Sequence, residues 1–524
     1  MYYSWDTGIL NLHYDGVARL NIARRVLDHP VPHYSHLGTV WLPLHQLLLL
    51  PWVQNDFLWS TGLAGSIVSG LAFWAACYCL FELSCLTHGS EWAGVLSAGA
   101  FAVTPNILYL QSTPLGEMLY AALFLAALLA QAKLAEKSTV ALAVACGGFT
   151  MLASLTRYDG WLLVPLGAAG ILGPALVSRR NVRQLSLLLT AYVLVAVSGI
   201  AGWLLYNRVA FGDPLAFVKG EHATERNIER IVEESGLQSY PPIGNTLTAL
   251  AYYIEAARMG AGDFLLFAGG LGFFTAVAAR SWKNPALWPG SLCFLLPPAF
   301  YVANMVHGSG IIFVPALPPR GILNVRYSAL FIPGLCLFLP GIVTTVVHAA
   351  RQASGLRWLS GAVGAKWGVG ALLAAVSASG ALQMRRGITS VACVREAYVN
   401  GFERRQAEYR AATFLRAQYD GQPILMHVGQ HGIIPQQARI PLANFVSEAT
   451  AWGQTLAHPS QFVEWIVEQE GDGVWELLVD RKDLEGRFET VFEAASPFEK
   501  LLRIHRRRPQ NPRVITQTPP RKPG

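Results

Sequence analysis

Residues 111–137 read QSTPLGEMLYAALFLAALLAQAKLAEK. Between Glu117 and Lys133 no residue carries a charge, and the run is close to the ~20 apolar residues a helix needs to cross ~30 Å of hydrocarbon. One end carries an acid in a polar turn and the other plain lysines, Lys133 and Lys137. Outward from this stretch, from about Thr61 to Met384, the same pattern repeats. Basic clusters at alternate run ends (Lys133/Lys137; Arg179, Arg180 and Arg183; Arg280/Lys283; Arg351, Arg357 and Lys366) face ends carrying Glu117, Arg157-Tyr158-Asp159, Asp213, Asp263 and Arg326-Tyr327. Basic loops mark the cytoplasmic side. The sequence therefore predicts an all-α polytopic membrane domain with about ten spanning helices, at 61–86, 92–110, 114–133, 139–156, 160–178, 185–207, 261–280, 286–306, 327–349 and 367–384.

Composition agrees. Of the 524 residues, 52% are hydrophobic and only 14% charged, against about 25% charged in soluble domains. The net charge of +7 lies largely in the basic loops and the tail Arg503 to Lys522, which fits topology and a solvated tail and gives no reason to expect nucleic acid as a partner. The cysteines at 77, 79, 85, 146, 293 and 336 sit inside apolar runs without metal-ligand or redox spacing.

The expected domains are an outer loop with membrane-surface helices (1–60), the transmembrane helical domain (61–384), a small extracytoplasmic α/β domain (385–502) and a disordered basic tail (503–524). In the third, Arg395–Tyr419 reads as a helix, 423–428 as a strand, Pro459–Gln469 as a helix and Val474–Val479 as a strand. The chain starts on the outer side with no span or export signal before it, so an upstream start encoding one more helix is expected.

The residues able to carry chemistry all fall on the outer side. Asp15 and Arg19 stand one helical turn apart, either as an exposed ion pair or as a carboxylate base beside an arginine that holds a phosphate. Glu117 is either a helix N-terminal acid favoured by the dipole or an acid facing water, a partner or a metal. Arg157, Tyr158 and Asp159 form either a structural ion pair with an aromatic anchor or part of a site. Arg326, with Tyr327, either snorkels to headgroups or joins them. HExxH, GxSxG and P-loop motifs are absent.

The patterns Asp15-Gly-Val-Ala-Arg19, Ile22-Ala23-Arg24-Arg25, Gly38-Thr-Val-Trp41-Leu-Pro43, Asn106 to Glu117, Leu155 to Trp161, Phe211 to Leu215 and Asn324-Val325-Arg326-Tyr327 resemble polytopic glycosyltransferases of the C superfamily. That group includes protein mannosyltransferases (family 39-like) and bacterial lipid A aminoarabinose transferases. The resemblance spans the chain to about Asp480. It implies an inverting glycosyltransferase of the inner membrane, with its active site on the extracytoplasmic face. The donor would be a polyprenyl-phosphate sugar, and the acceptor a protein, lipid or glycan. It implies Asp15 as catalytic base and Glu117 as second catalytic acid, with a divalent metal left open as cofactor. Arg19, Arg326 and Tyr327 would contact the lipid phosphate, and Arg157, Tyr158 and Asp159 would join the substrate site. Many relatives have Asp-Glu in the first loop, whereas Gly16 follows Asp15 here. A flippase for a lipid-linked glycan and a non-catalytic assembly subunit are the competing readings.

Overall fold

The computed structural model describes all residues except 30–31, 178–180, 220–223, 279–283, 285, 353–361, 449, 451, 480, 482–483, 485 and 510–524. The basic clusters at 179–183 and 351–366 fall partly, and that at 280/283 wholly, outside the described residues. The chain divides into two compact units, Met1–Glu403 and Arg404–Gly524.

Among the described residues the first unit is mainly helical, with one isolated bridge between Phe313 and Leu323, and each of the ten expected spans overlaps helix. Among the described residues, six helices are long and apolar enough to cross a membrane: Leu63–His88, Glu117–Lys137, Val182–Phe211, Leu287–Val306, Val325–Val347 and Gly364–Met384. A seventh arises if Thr246–Ala261 and Asp263–Ala278, bent by 111° at Gly262, are taken together. The chain is a multi-pass membrane protein. Helix ends follow local chemistry. Asn181 and Thr139 cap their helices with side-chain oxygens. Glycines at positive φ, Gly89 and Gly212, stop two long helices. The expected span 92–110 is broken where Pro105 has no N–H to offer, giving Glu91–Val103 and Pro105–Leu110.

The turn 111–116 is held by the helix Leu63–His88. Ser66 Oγ donates to the Ser112 carbonyl (2.5 Å), and Ser69 Oγ to those of Thr113 (2.7 Å) and Leu115 (3.2 Å). Pro114 then lies against two glycines. A Cβ on Gly65 would meet its Cα at 2.2 Å, and one on Gly16 its Cγ at 2.7 Å. Helix Tyr14–Leu27 is fixed further along, where Arg24 donates to the carbonyls of Val53 (2.6 Å) and Gln54 (3.2 Å) and pairs with Asp56 (2.7 Å). The segment expected to lie on the membrane surface contains the helix Leu44–Val53, which buries His45, Gln46, Leu49 and Val53 and leaves Leu47, Leu48 and Trp52 exposed.

The boundary expected at residue 385 lies instead after Glu403. Residues beyond the last long helix pack on the first unit. Cys393 N–H donates to Asn106 Oδ1 (2.8 Å), Asn400 donates to the Ile322 carbonyl (2.8 Å), and Gly401 meets Leu12 so closely that a Cβ would lie 1.6 Å from its carbonyl oxygen. The helix expected over 395–419 is accordingly split into Ala392–Ala397, a π turn at Tyr398–Phe402 and Gln406–Gln418.

The second unit carries strands β1 (Ile424–Leu425), β2 (Phe445–Val446), β3 (Trp465–Gln469), β4 (Phe488–Ser496) and β5 (Glu499–Arg507) in the order β2-β1-β3-β5-β4. The first three are parallel, and β5 runs antiparallel to both neighbours. Three expectations are corrected. Val474–Val479 is helical, as Gly473–Leu478, because Asp472 accepts from the N–H groups of Val474 and Trp475 and starts a helix. The helix opened by Pro459 lasts one turn, to Phe462, before the buried Trp465-Ile466-Val467 run enters the sheet. Residues 503–507 belong to β5, where Leu502 and Ile504 are buried and Arg503 pairs with Glu493 at 3.1 Å; 510–524 lie outside the described residues.

Two predictions follow from these contacts. Gly65→Ala forces backbone against backbone at Pro114 and should destabilise the first unit by about 1–3 kcal/mol, read as a lower melting temperature in detergent; an unchanged melting temperature refutes the close approach. In the second unit, buried His431 bonds Asp472 at 2.9 Å and faces Glu408 at 3.8 Å. Burial alone would lower its pKa, but the Asp472 and Glu408 carboxylates outweigh it and hold the ring at about 9. A raised folded pKa gives stability that is full below the unfolded value of about 6.5 and is lost as pH rises through 9. Hydrogen exchange at 424–428, corrected for intrinsic rate, should show wild type and His431→Gln converging over that window.

Candidate functional site

Four chain segments meet around one guanidinium. Helix Tyr14–Leu27 begins with His13 as its N-cap, whose Nδ1 accepts from the Asp15 N–H at 3.2 Å. This places Asp15 in the first turn, where the helix dipole favours a carboxylate. The stapled turn at 111–116 places Glu117 at the start of its helix. A left-handed Asn324 (φ 55°) opens the segment Val325–Phe331 and turns Arg326 inward. Helix Ala392–Ala397 supplies Glu396, fully buried.

Arg326 binds all of them. Its Nη2 donates to Asp15, its Nε to Glu117 (3.1 Å) and its Nη1 to Glu396 (2.5 Å). His13 Nε2 lies 3.4 Å from Glu396. A second arginine, Arg157, donates to Glu117 (3.3 Å), Asp159 (3.3 Å) and the Tyr301 hydroxyl (2.8 Å), and Tyr301 donates to Asp159 (3.1 Å). Tyr327 lies between the two guanidiniums, 5.0 Å from Arg157 and 5.1 Å from Arg326, and stacks on Tyr301.

Arg19 differs from both. Its guanidinium rests on the Trp41 ring at 4.7 Å, and its Nη1 is buried without a hydrogen-bond partner. Burial lowers its pKa, only partly offset by Glu117 and Asp15. The exposed i,i+4 ion pair, one of the two readings of Asp15 and Arg19, is not formed; Asp15 pairs with Arg326 instead. Arg326, expected at the lipid phosphate, has all three of its side-chain nitrogens on carboxylates, and its Nη1 also lies 2.6 Å from His13 Nε2. His45 is also fully buried near Arg19, with neither ring nitrogen hydrogen-bonded. Burial and the Arg19 charge push its pKa down to about 3, so the ring is neutral.

The four carboxylates are not equivalent. The Asp15 side chain is 36% exposed, whereas those of Glu117, Asp159 and Glu396 are 4%, 6% and 0% exposed. Burial would raise the pKa of Asp15, but Arg326, His13 and Arg19 together hold it below the usual carboxylate range. Asp159 moves the other way, raised by burial that Arg157 and Tyr301 only partly offset. Asp15 is therefore ionised at neutral pH and is the one of the four that is partly exposed. Among the described residues no group of three His, Cys, Asp or Glu side chains converges to hold a metal.

Of the residues singled out in the sequence, Asp15, Glu117, Arg157, Asp159, Arg326 and Tyr327 are joined in one network, with Arg19 beside it. Tyr158 stands apart, donating to the Val40 carbonyl (3.0 Å) and stacking on Phe217. Sequence reading missed His13, His45, Tyr301 and Glu396. The signal for Glu396 was an acid following the apolar run Val391-Ala392-Cys393-Val394.

No family model matches this chain, and neither does any curated protein. Solved structures do. A crystal structure of ArnT from Cupriavidus metallidurans in the apo state is 15% identical, with a TM-score of 0.56 and 96% of each chain covered. The archaeal oligosaccharyltransferase AglB from Archaeoglobus fulgidus, in complex with an inhibitory peptide and a dolichol-phosphate, is 13% identical with a TM-score of 0.46, covering 94% of this chain and 70% of that one. The likeness to ArnT runs the length of both chains and, at this identity, is a likeness of fold.

Proposed function

We propose that this protein is an inverting glycosyltransferase that moves a sugar from a polyprenyl-phosphate donor to an acceptor hydroxyl on the extracytoplasmic face of the inner membrane, with Asp15 as general base. The observation that carries the reading is Asp15 itself. It is the one carboxylate of the network that is ionised and open, and an arginine with an unpartnered donor stands one helical turn away on the same helix. The ArnT-like fold supports the same reading by analogy.

The acceptor oxygen attacks the anomeric carbon as the bond from that carbon to the phosphate oxygen breaks. Asp15 takes the acceptor's proton, and the lipid phosphate leaves with the bonding electrons. Arg19 offsets the charge growing on it through Nη1. Arg326 and Arg157 are occupied by carboxylates, so they hold the site's shape and leave the phosphate to Arg19. Glu117 is the shared partner of both and keeps them apart. In this reading the ten helical segments all thread the bilayer. Basic clusters such as Arg183 face the cytoplasm, and Asp15, Glu117, the 208–260 loop and the second unit face outward.

Asp15→Asn should lower sugar transfer by about 10²–10⁴ while polyprenyl-phosphate binding persists. Arg19→Ala should raise the donor KM, because it removes a contact already made in the ground state. An Asp15→Asn protein keeping more than about a tenth of wild-type turnover moves the base to Glu117 or Asp159. Survival of lipid binding with loss of turnover separates an enzyme from a flippase or assembly subunit. Sidedness is tested by single cysteines on a Cys-free background with an impermeant thiol reagent in intact cells: labelling at 235 and none at 181 is expected, and the reverse overturns the orientation.

A further inference from the structure

Glu396 lies beyond the last long helix, yet both of its carboxylate oxygens are engaged. It is fully buried. Its Oε1 accepts from the Asn324 N–H (2.9 Å) and Arg326 Nη1 (2.5 Å), and its Oε2 from the Arg326 N–H (3.0 Å). The two N–H groups flank Val325 and follow from the left-handed Asn324, so the backbone forms a small anion-binding concavity around the carboxylate. Glu396 thus grips both the main chain and the side chain of Arg326.

A guanidinium is a rigid planar fork. Fixing one of its edges fixes where the others point. With Nη1 and the backbone held by Glu396, Nε is directed to Glu117 and Nη2 to Asp15. Asp15 is thereby held through a single nitrogen with part of its carboxylate left open. Without the Glu396 charge, Nη1 keeps only the His13 ring nitrogen at 2.6 Å, and Arg326 can turn from Glu117 to present two nitrogens to Asp15, the bidentate pairing that carboxylates favour, and so close off the base.

We infer that Glu396 is a positioning residue for the transfer reaction, orienting Arg326 so that Asp15 is stabilised but remains open to the acceptor. This rests on the reading of Asp15 as general base. The titratable and charged groups facing Asp15 are His13, which caps its helix, Arg19 on that helix, Arg326 and Tyr327 from the segment after Asn324, and Glu396. Of the groups that act on the pKa of Asp15, Glu396 raises it and Arg326, His13 and Arg19 lower it. Replacing Glu396 by a neutral isostere therefore moves the Asp15 pKa down, and the acid limb of the rate profile moves to lower pH with it. A change that only loosened the fold would reduce the active fraction and leave that limb in place.

The test uses the full chain in lipid nanodiscs with a polyprenyl-phosphate sugar donor, comparing wild type, Glu396→Gln and Glu396→Asp. The Gln variant should lose about tenfold or more in kcat with the donor KM within about twofold, and its acid limb should shift to lower pH. The Asp variant, which keeps the charge, should recover part of the kcat and all of the limb position. A Gln variant with wild-type kcat, or with reduced kcat and an unmoved limb, overturns the proposal. A cryo-EM structure of the Gln variant decides the same point without activity: Arg326 should leave Glu117 and pair through two nitrogens with Asp15, and an unmoved Arg326 refutes it. If wild type transfers no sugar, the transferase reading fails alone, while the cryo-EM comparison still judges the positioning of Arg326.

Discussion

The first unit is organised around a buried positive charge that must be neutralised. Arg326 is 5% exposed, and an unpaired guanidinium at that depth would cost several kcal/mol. Three carboxylates from three separate segments answer it, and each is itself buried or half-buried. Because removing either partner of such a pair leaves an uncompensated charge, the segments carrying Asp15, Glu117 and Glu396 are committed to one arrangement. The backbone features nearby serve the same end: a left-handed Asn324, serines that staple the turn before Glu117, and two glycines that admit Pro114.

Within that cluster, burial and charge divide four acids into different states. Glu117 is shared between two arginines and is closed. Asp159 is raised by burial and tied to Tyr301. Glu396 is enclosed and held below the usual range, burial being outweighed by Arg326 and His13. Asp15 alone combines ionisation with exposure. The environment of each side chain, more than its identity, sets the partly exposed Asp15 apart from the three enclosed acids.

The helical segments and most of the network were legible in the sequence for a single reason. Charges at the edge of hydrocarbon are costly, so Glu117, Arg157, Asp159 and Arg326 had to find partners, and the alternation of basic clusters put them on one side together. Asp15 joined them by the same reasoning, although its partner proved to be Arg326 and not Arg19. Glu396 was hidden because its segment has ordinary composition and reads as part of a soluble domain; the packing of Cys393 on Asn106, Asn400 on Ile322 and Gly401 on Leu12 shows that it belongs to the first unit. Tyr301 was hidden for the opposite reason, as an aromatic inside an apolar run reads as core. In the second unit short apolar runs do not distinguish strand from helix, and at Val474 the preceding Asp472 decided the matter.

The ion pairs of Arg326 join residues 311, 209 and 70 positions apart in the chain. During synthesis Asp15 and Glu117 emerge first, then wait for roughly two hundred residues or more before their shared cation arrives, and Arg326 itself must wait for Glu396. A partly made chain therefore holds the acids of the cluster without the cation that joins them. The cluster closes only after the last long helix, Ala362–Met384, so a chain that ends before Glu396 lacks the full arrangement around Arg326.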